Sequence, residues 1–243
     1  MTKKESLEIT IPVLNEAETI HRQLKILLEY IDNSTFALDI KIIIADNGST
    51  DGTFEKAKSI AKTRGNLKVI KLPIPGVGAA LYESWKSSDS KYLGYMDLDL
   101  ATDLKHLSEV IGYLQDGEKN IVVGNRRSKR SKVLGRSNIR NFTSLVFNMI
   151  LKIVFRTEIR DAMCGFKFFE KYWLQTQILP NSRSKKWFFC AEILLLAEKK
   201  GAKIMQVPIN WVDDSNSKVK IVRLSLEYLK EIFTLKKRIV KMQ

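Results

Sequence analysis

The chain reads as an α/β domain built on a largely parallel sheet flanked by helices, and three observations predict it. Short apolar runs alternate with amphipathic ones through the first half. The run Ile40 to Ala45 is rich in isoleucine, as a strand covered on both faces must be. Apolar residues make up 44% of the 243 residues, enough for one sizeable core and against disorder. Taken in order, Leu7 to Val13 predicts the first strand, and Ile20, Leu24, Leu27, Leu28 and Ile31 fall on one face of the helix after it. Ile40 to Ala45 is the second strand. Phe54, Ala57 and Ala61 repeat helical spacing before a third strand at Leu67 to Ile70. Leu104, Leu107, Ile111 and Leu114 do the same between strands at Tyr92 to Met96 and Ile121 to Val123. In such sheets ligands collect beyond the carboxyl ends of the strands.

Basic residues exceed acidic ones by 41 − 27 = 14, which suits anions: nucleotides, phosphates, nucleic acid or acidic lipid headgroups. Two cysteines, Cys164 and Cys190, and two histidines, His21 and His106, argue for a reducing compartment and against structural zinc. No apolar targeting core precedes the first strand, so the chain is expected to stay where it is made. The longest greasy run, Phe142 to Phe155, is interrupted by Asn148 and Lys152 and falls short of the roughly 20 residues of a spanning helix, so no transmembrane segment is expected.

The motifs sit on the loops where ligands should meet. Asp97 and Asp99 follow the run Tyr92 to Met96, and alternation sends both to one side, where oxygen ligands suit a hard cation; an acidic pair of this kind is also common in solvated loops. Pro12-Val13-Leu14-Asn15-Glu16 leaves the first strand, with Asn15 or Glu16 either opening the helix or, for Glu16, facing a nucleotide. Asp46 ends the second strand, placed to accept from a nucleobase or ribose, while Asn47 to Thr53 has the chemistry of tight turns and a helix start. Pro75 to Leu81 imitates a dinucleotide loop, but Leu81 stands where the last glycine belongs, and a helix start after an irregular turn is the better reading. Arg126 to Lys132 is a basic run, a solvated loop or a phosphate clamp; Arg136 and Arg140 follow one helical turn apart, able to grip one anion.

These segments, with Gly124-Asn125-Arg126, Asp161 to Phe168, Trp187 to Leu195, Asn210-Trp211 and Ser217-Lys218 in the same order, resemble the family 2 glycosyltransferases of GT-A fold. The resemblance covers nearly the whole chain and is nearest to the polyprenyl-phosphate sugar transferases, especially the dolichyl-phosphate glucosyltransferase branch. It implies the Rossmann-like sheet of nucleotide-diphospho-sugar transferases, in a domain over 1–216, with a basic amphipathic helix over 217–243 that touches a membrane surface. It implies that Pro12, Leu14, Glu16, Asp46 and Asp97 line the nucleotide-sugar pocket. It also implies that Asp97 and Asp99 are the catalytic pair, holding Mg2+ or Mn2+, with Asp99 the direct ligand. Arg126, Arg136, Arg140 and Lys218 then bind the acceptor phosphate, with Asp161 and Glu192 as further acceptor-side acids.

The activity so implied is inverting transfer of a hexose, glucose from UDP-glucose, to a polyprenyl or dolichyl phosphate at the cytoplasmic face of a membrane. Alternatives are mannosyl transfer from GDP-mannose, transfer to a saccharide hydroxyl with Asp161 or Glu192 as base, or a basic nucleic-acid-binding module; with the acids gathered on the loops, no nucleic acid is expected. Departures from the family pattern are Leu14 for an aromatic residue, Asn47 for an aspartate, Val77 for a lysine, Cys190 for an aspartate, and Ala101 where the mannosyl branch has glutamine.

Overall fold

β-Branched and aromatic residues concentrate in the runs that form the sheet, while Leu and Ala at helical spacing supply the faces that cover it. The computed structural model describes residues 4–72, 75–213 and 221–242. β1 (Ser6–Val13), α1 (Ile20–Asp32), β2 (Asp39–Asp46), α2 (Thr53–Ala61), β3 (Leu67–Lys71), α3 (Val77–Trp85), β4 (Tyr92–Met96), α4 (His106–Gln115) and β5 (Ile121–Asn125) follow the expected alternation. The second half adds β6 (Lys132–Leu134), α5 (Asn138–Phe155), β7 (Phe166–Glu170), α6 (Phe189–Lys199), β8 (Ile204–Pro208), β9 (Asn210–Val212) and α7 (Ile221–Lys241). A π-helical turn, Trp173–Ile178, and a 3-10 turn, Leu179–Asn181, link β7 to the loop before α6.

The main sheet has the order β3-β2-β1-β4-β7-β5-β8, and β6 and β9 form a separate parallel ribbon. All pairings in the main sheet are parallel except those of β7, which runs antiparallel between β4 and β5. The reversed strand brings the segment before it, 161–165, to the same rim as the carboxyl ends of β1, β2, β4 and β5. Two apolar cores cover the sheet. One joins α1, α2 and α4 to β1 and β2; the other joins α3, α5 and α6 to β4, β5 and β7 and takes in Ile232, Leu235 and Ile239 of α7.

The basic helix expected after residue 216 is thus a packed element over its described length. Tyr228 stacks near Phe147 and Phe188, and Lys186 pairs with Glu227 at 3.0 Å. A second link is buried: Arg238 pairs with Glu192 of α6, whose carboxylate also accepts from the backbone N–H of Arg183 at 3.0 Å and of Ser184 at 2.8 Å. Glu192 was expected as an acceptor-side acid. Its carboxylate is engaged in joining α7 to the 182–186 loop, and that loop supports the start of α3, where the Ala79 N–H donates to the Lys185 carbonyl at 3.0 Å. Among the described residues no helix is long and apolar enough to cross a membrane.

Glu192→Ala leaves a partly buried guanidinium and two backbone donors without their acceptor, so unfolding free energy should drop by about 3 kcal/mol. Urea denaturation measures it; a change below about 1 kcal/mol would show that the link contributes little.

Candidate active site

Strand register places the acids along one rim. Val13 pairs with Asp46, and Thr10 pairs with Tyr95, which sets Asp97 level with Pro12. β1 lies between the two acid-bearing strands, so Asp46 and Asp97 leave the sheet about 10 Å apart, two strand spacings. Asp46 is fully buried; one carboxylate oxygen accepts from the Ser49 N–H at 3.2 Å, and the other has no partner among the described residues. A buried carboxylate oxygen left open at a strand end is a vacant acceptor for a ligand's donor. Its neighbour Asn47 is structural, its side-chain oxygen accepting from the Gly76 N–H at 2.5 Å and so tying β2 to the start of α3.

The first loop is folded onto the second. Asn15, with φ 55°, donates its N–H to Ser49 Oγ at 2.9 Å and accepts the Thr50 N–H at 2.9 Å. Asp51 accepts the Thr53 hydroxyl at 2.5 Å, which holds its carboxyl below the usual range, together with the N–H groups of Ala17 and Thr53, both at 3.0 Å. Glu16 accepts the Thr19 hydroxyl at 2.6 Å, the helix-opening role. Leu14 is left 48% exposed at the mouth.

Asp97 sits deeper than Asp99. The buried Tyr95 hydroxyl donates to its Oδ1 at 2.8 Å, and the backbone of Gly165 closes on its other oxygen. A Cβ at position 165 would lie 1.7 Å from Asp97 Oδ2, so only glycine leaves room for this carboxylate. Burial, then the Asp99 charge, pushes the Asp97 carboxyl up to about 7, against the pull of Tyr95, Lys167 and Arg126. Asp99 is exposed at the turn, accepts the Ala101 N–H at 3.0 Å, and is followed by Leu100 at φ 51°. Both acids line a narrow crevice with Thr102, Gly165, Phe166 and Trp211.

The arginines divide into two kinds. Arg126, expected to bind acceptor phosphate, is instead bidentate to Asp161, with Nε to Oδ2 at 2.7 Å and Nη2 to Oδ1 at 2.8 Å, and its guanidinium lies over the Trp211 ring at 4.6 Å. Asp161 is 1% exposed, and the Arg126 pair holds its carboxyl below the usual range despite burial. Arg140 bonds to Asp213 at 2.9 Å. Arg136 differs. It is half-buried, makes no hydrogen bond or ion pair among the described residues, and is held below its usual range by burial and by the Arg126 charge. Lys218, in the Ser217-Lys218 pair, lies outside the described residues.

Sequence reasoning did not assign roles to Gly165, Tyr95, Lys167, Trp211 or Asp213. Tyr95 was within reach, since it precedes Asp97 by two residues on a strand and so shares its face. Lys167, fully buried beneath the site with its ammonium on the Cys164 carbonyl and 5.6 Å from the Tyr95 ring, carries no local signal of that position. Cys190 is buried, and burial pushes its thiol up to about 11.

The Asp97 shift has a sign that can be checked. Its folded pKa of about 7 lies above the 3.8 of an ordinary aspartate, so between those values the folded chain keeps a proton that the unfolded chain has lost. Stability without a bound cation therefore falls as pH rises through that window and levels off above it. Urea denaturation across the window should show that fall in the parent chain and a shallower one in Asp97→Asn, where Glu8 and Glu231, raised by burial, remain; equal slopes would refute the shift.

Comparison with known proteins agrees with this architecture. Residues 8–177 match Glycosyl transferase family 2. Glycosyltransferase AglD of Haloferax volcanii is 28% identical over 218 residues, covering 89% of this chain and 35% of that protein. A dolichyl-phosphate beta-glucosyltransferase of Dictyostelium discoideum is 28% identical over 243 residues, covering 96% of this chain and 74% of that one. The chain therefore spans about a third of the first relative and three quarters of the second. Among solved structures, glucosyl-3-phosphoglycerate synthase of Mycobacterium tuberculosis superposes with a TM-score of 0.73 at 20% identity, covering 96% of this chain and 81% of that chain. A complex of that protein with Mn2+, UDP and glucosyl-3-phosphoglycerate gives 0.69. With the family match running from the first strand into the π-helical turn after β7, and with the sheet of a GT-A glycosyltransferase, the chain belongs to glycosyl transferase family 2.

Proposed function

We propose that the chain moves glucose from UDP-glucose to a polyprenyl or dolichyl phosphate, with inversion, assisted by Mg2+ or Mn2+. The observation that carries this reading is Arg136, a half-buried guanidinium without an ion partner among the described residues, beside Arg126 and Arg140 and within the field of Asp213 and Asp161. Such a cation invites a phosphate, which removes the repulsion it now bears. The names of the Dictyostelium relative and of the UDP complex supply the matching acceptor and donor classes.

The acids support the same chemistry. Asp97 and Asp99 offer oxygen donors, yet among the described residues no three acidic, histidine or cysteine side chains converge. Two carboxylates suffice for Mg2+ or Mn2+ when the diphosphate of the donor completes the shell, and the donor set is all oxygen, as a hard cation requires. When bound, the cation stabilises negative charge on the departing UDP. Asp46, with its open oxygen, takes a donor from the uridine, and Pro12, Leu14 and Glu16, on the loop after the neighbouring β1, join it in holding the nucleotide. Ala101 offers no further metal donor, which favours the glucosyl over the mannosyl reading.

The acceptor is a phosphate monoester, already anionic at neutral pH, so no protein base is needed. One of its oxygens bonds to the anomeric carbon as the bond from that carbon to the UDP oxygen breaks, and the electron pair leaves on UDP. Asp161 and Glu192, the bases a hydroxyl acceptor would call on, are both locked in ion pairs, which speaks for the phosphate acceptor. Arg136 orients that phosphate, beside Arg140, whose guanidinium is held by Asp213, and most of the rate enhancement then comes from positioning and charge neutralisation.

Incubation with UDP-glucose, Mn2+ and a short polyprenyl phosphate, followed by mass measurement, should give a lipid phosphate heavier by one hexose. Arg136→Ala should raise the KM for the lipid phosphate at least about tenfold while leaving that for UDP-glucose unchanged. Transfer to oligosaccharides but not to lipid phosphate would overturn the reading.

A further inference from the structure

α5 turns an apolar stripe away from the protein. Ile139, Phe142, Met149 and Ile153 are 68%, 65%, 51% and 71% exposed, and their spacing places them on one helical face. The opposite face carries Asn148, Leu151 and Phe155, which are buried. The stripe does not end with the helix. Leu134 and Val212 are cross-strand neighbours in the β6–β9 ribbon just before α5, 63% and 61% exposed. Large side chains gathered in this way mark a surface that meets something apolar.

Charge selects the occupant. From Lys119 to Thr157 the chain carries ten Lys and Arg residues and no Asp or Glu; Arg126 and Arg140 are met by Asp161 and Asp213, and the other eight form no ion pair among the described residues. A second copy docking through this face about a two-fold axis would set that cationic segment against itself. An anionic lipid surface answers both features, with cations toward headgroups and apolar side chains below them. The face also borders the arginines: Arg136 lies between Leu134 and Ile139 in the chain, and Arg140 follows Ile139 directly.

We propose that the outer face of α5, with Leu134 and Val212, is a docking surface for an anionic bilayer, holding Arg136 at the depth of lipid-borne phosphate. Its link to catalysis rests on the lipid-phosphate reading above; the docking itself rests on the exposed stripe and the charge around it. Membrane contact was expected from sequence at 217–243; there α7 presents Ile232, Leu235 and Ile239 to the core and leaves Phe233 and Val240 exposed. α5 has Phe147 against Tyr228 and Phe155 under Lys236, so α7 runs beside it in the same direction and braces it from within.

The test is co-sedimentation of the full chain with vesicles of phosphatidylcholine alone or mixed with phosphatidylglycerol. The parent chain should bind the mixed vesicles and bind the neutral ones weakly. Combined Phe142→Ser, Met149→Ser and Ile153→Ser should cut binding to the mixed vesicles at least about tenfold while transfer to a water-soluble, short-chain polyprenyl phosphate is unchanged. Paired Leu134→Ser and Val212→Ser should give a smaller loss in the same direction. The proposal is overturned if the parent chain fails to bind, if the triple variant binds as the parent does, or if the substitutions only convert a dimer to a monomer. Vesicle binding as expected with no transfer to the soluble acceptor leaves the docking surface standing and removes the acceptor reading.

Discussion

The site depends on one close approach, the Asp97 carboxylate against the backbone of Gly165. It joins two strands of opposite direction at the rim, β4 ending in the acid and β7 beginning just after the glycine. The buried pair between Arg126 and Asp161 holds the 161–165 segment at that height, and Trp211 closes over the guanidinium. Gly124 gives way in the same region, where a Cβ would meet Ile209 at 2.9 Å and Cys164 at 3.0 Å. Two glycines and one ion pair thus set where an ionisable acid stands, and burial there makes its charge responsive to whatever cation arrives.

The parallel half of the fold was legible because its residues announce themselves locally. Ile40 to Ala45 has no polar interruption, and Leu24, Leu27, Leu28 and Ile31 repeat on one face, so period and composition agree. The second half was not, because its strands are short and their partners distant. β6 and β9 have three residues each, and β7 takes its place by pairing with β4, about seventy residues earlier. Nothing in Phe166 to Glu170 alone announces an antiparallel strand.

The candidate site was legible in part for the same reason. Asp46, Asp97 and Asp99 follow strands that were read correctly, and the register carries them to one rim. Arg126, Asp161 and Glu192 were read as free chemistry, whereas each is engaged with a partner distant in sequence: 35 residues separate Arg126 from Asp161 and 46 separate Glu192 from Arg238. A charged residue announces its type in a sequence but not whether its charge is already met. That distinction leaves Arg136 the described arginine of the cluster best placed to receive an anion, at the margin of an apolar face that suits a lipid.

The most direct measurement is the turnover of Gly165→Ala with UDP-glucose, Mn2+ and a soluble polyprenyl phosphate, alongside its urea denaturation. A methyl group there must displace Asp97, so kcat should fall by about a hundredfold or more while the chain remains folded. Turnover equal to that of the parent chain would contradict the account, because the carboxylate would then work equally well without the place that Gly165 makes for it.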